Sequence, residues 1–236
     1  MRTLSIISIL TLVVFSTMQL KATSPNEKLE RDVTKEYELG DFSEIHLRGG
    51  FTVHIDQAKS CALTVQGDQD DLDKLTISSK NGVLKVFSKQ QVIGLDKVTL
   101  HINVKTLERL RIEGGGKITS EGYLDVKDLN INIEGGIRMD MQLAAKHVDL
   151  HAEGGVWVNL EGVSKYFDVH IEGAGRVNAR QLKSEDVSVH IEGAGLANVH
   201  AEEELDATIE GVGKVNYRGN PDVRKQIDGL GRVTRD

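Results

Sequence analysis

The chain has 236 residues, a formal net charge of −7, and 24 glycines against 2 prolines. Its acidity excludes nucleic acid as a partner, because phosphate binding needs a basic patch. Its glycines sit at regular places, which excludes a flexible Gly-rich linker. The one cysteine, Cys61, cannot form an internal disulfide and reads as a small strand residue in Ser60-Cys61-Ala62-Leu63.

Residues 1–22 have the pattern of a secretory signal peptide. Arg2 supplies the positive start, Leu4 to Met18 is an apolar run, and Leu20-Lys21-Ala22 offers a cleavage site after Ala22. The run is too short for a membrane-spanning helix. No cysteine follows it to carry a lipid. Residues 23–36 are polar and charged and read as a flexible lead-in.

From Tyr37 the pattern alternates with period two. Phe42, Ile45, Leu47, Phe51, Val53 and Ile55 form two short runs around Gly49-Gly50. Leu63 to Val65, Leu75 to Ile77, Val83 to Val86 and Val98 to Ile102 continue it, with a tight-turn signal at Asn81-Gly82. Gln69 to Lys74 has room for one helical turn. Residues 37–105 read either as irregular N-terminal β coils or as a small separate β-domain.

From residue 106 to 236 one motif recurs, written most cleanly as I-E-G-A-G at Ile171–Gly175 and Ile191–Gly195. Its acidic position falls at Glu113, Glu134, Glu153, Glu172, Glu192, Glu210 and Asp228, in steps of 18 to 21 residues. Such a period marks stacked structural units. Before each corner runs an apolar column (Leu110, Ile131, Leu150, Val169, Val189, Ala207) and a second (Ile112, Ile133, Ala152, Ile171, Ile191, Ile209, Ile227). A third follows the corner (Ile118, Met139, Val158, Val177, Ala197, Val215, Val233). A fourth precedes the next strand (Leu129, Val148, Phe167, Val187, Leu205, Val223). Alternation points all four inward. The expected fold is therefore all-β: a parallel β-solenoid, right-handed as a β-helix by fold-level precedent, with coils of about 18–21 residues and irregular N-terminal coils. Its corners are Gly135, Gly154, Gly173, Gly175, Gly193, Gly195, Gly211 and Gly213, where sharp bends call for positive φ.

The outward rows carry the chemistry. Five of the seven acids have a Lys or Arg four residues on (Lys117, Arg138, Arg176, Lys214, Arg232), which predicts an ion-pair ladder across the corner. The other use of these carboxylates is a hard-cation site, for Ca²⁺, with Glu153, Glu172 and Glu192 as candidate ligands. The ladder is the preferred reading, and no metal or other cofactor is expected. His151, His170 and His190 share one row and read as outward polar residues rather than a tetrahedral metal site. Four Asn in register (Asn159, Asn178, Asn198, Asn216) predict an amide ladder. Gly-x-Gly here precedes a strand, not the helix that a dinucleotide site needs. The repeat falters at Trp157, the only Trp, flanked by Glu153, Arg138 and Arg176; these four are the candidate binding residues.

Several of these stretches also occur together in one known family. Phe42-x-x-Ile45-x-Leu47-x-Gly49-Gly50-Phe51-x-Val53, Leu63-x-Val65-x-Gly67, Asn81-Gly82-x-Leu84, the Gly corners and the ending Tyr217-Arg218-Gly219-Asn220-Pro221 carry the likeness. The chain resembles the bacterial family of putative auto-transporter adhesins, head GIN domain, found in Bacteroidetes-type bacteria. The resemblance implies an exported β-helical protein without catalytic residues. No membrane β-barrel segment follows it, so self-export by the autotransporter route is not expected.

The resulting expectation is a secreted, periplasmic or cell-surface non-enzymatic, adhesin-like binding protein for carbohydrate or protein. A polysaccharide-active β-helix enzyme and a structural envelope component are the alternatives.

Overall fold

In the computed structural model, residues 32–88 and 98–236 are described. The signal peptide assigned to residues 1–22, and residues 23–31 of the lead-in, lie outside them. The lead-in ends earlier than residue 36, because Asp32–Glu38 is already a strand, β1.

The strands that follow are β2 (Glu44–Gln57), β3 (Ala62–Asp68), β4 (Leu75–Lys80), β5 (Val83–Ser88) and β6 (Thr99–Val104). One helical turn, α1 (Gln69–Leu72), sits where a single turn was expected and buries Leu72. Arg109–Arg218 is one long, repeatedly bent extended run, β7, and Asp222–Arg235 is β8.

The sheet is mixed, which corrects the expected parallel, right-handed β-helix solenoid. β1 pairs antiparallel with β3, β3 with β6, and β4 with β5. β2 pairs parallel with β5, β6 and β7, and β7 pairs parallel with β8. The strands form a curled half-barrel. The physical reason is local. Asn81 and Gly82 both have positive φ (53° and 77°), the conformation of a two-residue hairpin turn, so β5 returns directly along β4. Parallel neighbours instead need a longer crossover. A glycine period fixes where strands bend; it does not say whether bent strands close into coils.

β2 is the junction. Its first half, Glu44 to Arg48, lies between β5 and residues 109–113 of β7; its second half lies between β6 and residues 116–120. The bend between the halves falls at Gly49, which pairs with Gly114. Buried side chains from both halves of the chain form one core, from Phe42 and Ile45 to Ile209 and Val215. The four apolar columns are buried as alternation requires. Only at the last strand do they lapse, where Val223 is exposed and Val233 is half-buried.

The corners divide glycine's work in two. At Gly135 φ is +130°, and a Cβ would lie 2.0 Å from the Gly114 carbonyl oxygen. There the backbone conformation and the close approach of the neighbouring strand both demand glycine. Gly175 and Gly195 are different, and the expectation of positive φ at both positions of Gly-Ala-Gly is corrected. Only Gly173 and Gly193 have it. A Cβ at Gly175 would lie 2.5 Å from Ile171 Cγ2, so this glycine makes room for a core side chain.

Candidate functional site

After each corner the chain runs extended, and alternate residues face outward. Three neighbouring segments thereby lay out a grid. Arg138, Trp157 and Arg176 form its first row, Asp140, Asn159 and Asn178 its second, and Gln142, Glu161 and Arg180 its third. The residues between them, including Met139, Val158 and Val177, are buried.

In the first row the Trp157 ring is flanked by two guanidinium groups. Arg138 Cζ lies 5.6 Å and Arg176 Cζ 5.1 Å from the ring centroid, within cation–π range. Trp157 stays 45% exposed. Arg138 also donates from Nε to Asp140 Oδ2 at 3.3 Å. Among the described residues Arg176 has no carboxylate partner, so its N–H donors face solvent.

The second row is the expected amide ladder. Asn159 Nδ2 donates to Asp140 Oδ1 at 2.5 Å and Asn178 Nδ2 to Asn159 Oδ1 at 3.2 Å. Further along, Asn216 Nδ2 donates to Asn198 Oδ1 at 2.8 Å. The link between Asn178 and Asn198 is missing, and Asn198 Nδ2 is buried without a partner.

Rows two and three line a groove of about 450 Å³ together with Thr119, Arg176 and Arg218. Arg180 reaches Asp236 from Nη2 at 2.6 Å, while its Nε is buried without a partner. The lining is polar; Arg218 Nε lies 4.0 Å from the same Asp236, so of the three groove arginines Arg176 alone, among the described residues, has no carboxylate partner.

Of the four residues singled out by sequence, the structure brings Arg138, Trp157 and Arg176 together. Glu153 stands before the corner, on a different outward stretch, and among the described residues nothing joins it to the other three. Sequence reasoning missed Arg180 and Arg218 as groove residues. The available signal was spacing: Arg180 follows Arg176 by four in a strand, so both face the same side.

The acidic row also differs from expectation. Acids do not pair with the base four residues on, because the corner turns the two side chains apart. Where they pair, it is with the residue two before, on the same strand face, or with a neighbouring strand; among the described residues Glu153 and Glu210 do neither. Glu113 takes Arg48 Nε at 2.7 Å, Arg111 Nε at 2.8 Å and His46 Nε2 at 2.9 Å. Led by Arg48, and against the opposing effect of burial, these bonds hold the Glu113 carboxyl at about 2. Arg111 Nη2 also reaches Glu134 at 3.0 Å. Further along, histidines replace the arginines: His170 Nε2 lies 3.0 Å from Glu172 and His190 Nε2 2.9 Å from Glu192.

A family model described as putative auto-transporter adhesin, head GIN domain, matches residues 41–221. No curated protein matches the chain. Among solved structures, a putative adhesin from Bacteroides fragilis is 23% identical with a TM-score of 0.84, over 88% of this chain and 98% of that one. A putative adhesin from Parabacteroides merdae is 23% identical with a TM-score of 0.66, over 87% and 96%. A putative lipid binding protein from Parabacteroides distasonis is 20% identical with a TM-score of 0.65, over 87% and 96%. At these identities the likeness is one of fold.

Proposed function

Because the chain belongs to the putative auto-transporter adhesin, head GIN domain family, we propose that it is an exported, non-enzymatic binding protein that engages carbohydrate through the Trp157 face. The observation that carries this is the Arg138–Trp157–Arg176 row standing at the edge of a polar groove. Sugars are bound by an exposed aromatic surface together with fixed planar polar groups. The amide ladder supplies fixed groups, since each Asn is held by its neighbour. The guanidiniums cover part of the ring, so a sugar meets its exposed remainder and the free donors of Arg176. A saccharide carrying a carboxylate or sulfate fits this best, because charge-assisted, bidentate bonds to Arg are the strong ones.

The enzyme alternative finds less support. Of the two acids lining the groove, Asp140 and Glu161, Asp140 has both carboxylate oxygens engaged, by Asn159 and Arg138, which leaves Glu161 without the second free carboxylate that glycoside hydrolysis ordinarily uses. A lipid tail has little to touch in so polar a lining. Among the described residues no helix is long and apolar enough to cross a membrane.

The test is a glycan array with purified protein, read beside Trp157→Ala and Arg176→Gln. Acidic glycans are expected to give signal, and each substitution is expected to weaken it about tenfold or more, the loss of one good contact. Absence of any glycan signal, or a signal indifferent to both substitutions, overturns the reading.

A further inference from the structure

The other outward face carries a second, separate constellation. His151, His170 and His190 occupy one position in three successive segments, and the pairing of neighbouring strands stacks their rings. Centroids lie 4.9 Å apart for His151–His170 and 4.6 Å for His170–His190. Glu172 and Glu192 follow two residues after His170 and His190, on the same strand face. Glu172 Oε1 sits between two imidazoles, 3.8 Å from His151 Nε2 and 3.0 Å from His170 Nε2. Glu192 Oε1 sits likewise, 3.8 Å from His170 Nε2 and 2.9 Å from His190 Nε2.

We propose that these five side chains form a surface site for one divalent transition-metal ion of the zinc–copper class. Two overlapping triads share His170: His151, His170 and Glu172, and His170, His190 and Glu192. Within each, the ligating atoms lie within 4.8 Å of one another. Zinc bound at about 2.0–2.1 Å sets its ligands roughly 3.3 Å apart in a tetrahedron. The carboxylate contacts already span that distance. The imidazoles close the remainder by side-chain rotation, which their partial exposure permits. His170 Nε2 supplies an independent sign. It is shielded from solvent and makes no hydrogen bond, because its 3.0 Å approach to Glu172 is not aligned for one. A ring nitrogen shielded from solvent, without a hydrogen bond and facing a carboxylate and a second imidazole, is a ligand position.

The donor set chooses the ion. Two imidazoles and a carboxylate suit zinc, copper or nickel, whereas calcium and magnesium require oxygen throughout. Glu153, the third candidate ligand of the hard-cation alternative beside Glu172 and Glu192, belongs to neither triad. The open coordination positions face solvent. Because both triads need His170, they hold one ion between them.

The test is calorimetric titration of the untagged protein with Zn²⁺ and, separately, Ca²⁺, with melting temperature as second readout. One Zn²⁺ per chain is expected, reversed by chelator, with no heat from Ca²⁺. His170→Gln removes both triads and should weaken Zn²⁺ binding about 100-fold or more, beyond the usual cost of losing an outer-shell partner. His151→Gln and His190→Gln each leave one triad and should weaken it only about twofold, the factor for losing one of two placements. The double variant His151→Gln/His190→Gln should match His170→Gln. No Zn²⁺ heat, equal binding by wild type and His170→Gln, or equal binding of Ca²⁺ overturns the proposal. Equal binding by His170→Gln would move the site to another pair, such as His147 with Asp168. The ion-free melting temperatures of the variants show whether each remains folded.

Discussion

Residues 32–104 and 109–235 meet along β2, and at that seam the same corner is built in two ways. On the N-terminal side Gly49 bends one strand whose neighbours differ along its length, β5 for one half and β6 for the other. A Cβ at Gly49 would meet side-chain atoms, Ser88 Cβ at 3.0 Å and the Phe51 ring. On the C-terminal side Gly135 lies against Gly114, and Gly154 against Gly135, backbone to backbone. In the first region turns set the register and each contact is particular. In the second, spacing sets the register, and residues 18 to 21 apart are brought side by side. Rows of like side chains follow, and both candidate sites lie in such rows.

The largest expected effect separates two adjacent glycines of one corner. Gly135→Val would force a β-branched residue to φ +130° against a carbonyl oxygen 2.0 Å from its Cβ. Strain and overpacking together should cost roughly 3–5 kcal/mol. A Cβ at Gly136 meets nothing within 4 Å, so Gly136→Val should stay within about 0.5 kcal/mol of wild type. Gly49→Ala should cost less than Gly135→Ala, because a side chain can yield where a backbone cannot. Urea unfolding measures all four, and equal midpoints for Gly135→Val and Gly136→Val would break the contrast.

A smaller effect lies at the seam. Glu113 accepts bonds from Arg48, His46 and Arg111, and its side chain is 19% exposed. Glu113→Gln should cost roughly 1–3 kcal/mol at neutral pH, the worth of hydrogen bonds to a charged group. Its carboxyl is lowered from 4.5 to about 2 in the folded protein, so the stabilisation is fully present above the unfolded value. It is lost as pH falls from 4.5 through about 2. The deficit of the Gln variant should therefore shrink across that window. Glu134, more exposed and paired with Arg111 alone among the described residues, should lose less than about 1 kcal/mol on the same change. Urea midpoints taken at several pH values decide it, and a deficit that does not change with pH would remove Glu113 from the account.

The difference between the regions also explains what could be read from sequence. The buried columns were legible because alternation within a strand and spacing between strands both survive as pattern. Leu110, Ile131, Leu150 and Val169 are all buried. The hairpin at Asn81-Gly82 was legible because its turn needs those residues. The antiparallel pairings of β1 with β3 and of β3 with β6 were not, since partner choice in the first region leaves no period. Acid partners were misjudged because distance along the chain was counted across a bend. Glu172 meets His170 two residues before it and His151 on the preceding segment, while Arg176 turns away to Trp157. The second glycine of Gly-Ala-Gly was read as a backbone requirement although its constraint is a neighbour, Ile171, whose position the sequence alone does not give.

The smallest effect on stability tests whether the outward rows are separable from the fold. Trp157 is half outside, and what holds its ring is two guanidiniums, one of which keeps Asp140 when the ring is gone. The same position two segments later is Leu196, which shows that the backbone there accepts a plain aliphatic residue. Trp157→Leu should therefore cost no more than about 1 kcal/mol, the worth of exposed cation–π contacts. Its glycan signal should nevertheless fall as far as that of Trp157→Ala, because neither variant presents an aromatic surface beside Arg176. A loss above about 2 kcal/mol would place Trp157 among the groups that hold the sheet together, outside the range of exposed surface substitutions. Retained binding in the Leu variant would show that the groove and its arginines suffice without the ring. A small stability change with lost binding is the one outcome that leaves the fold to the inward columns and recognition to the outward row.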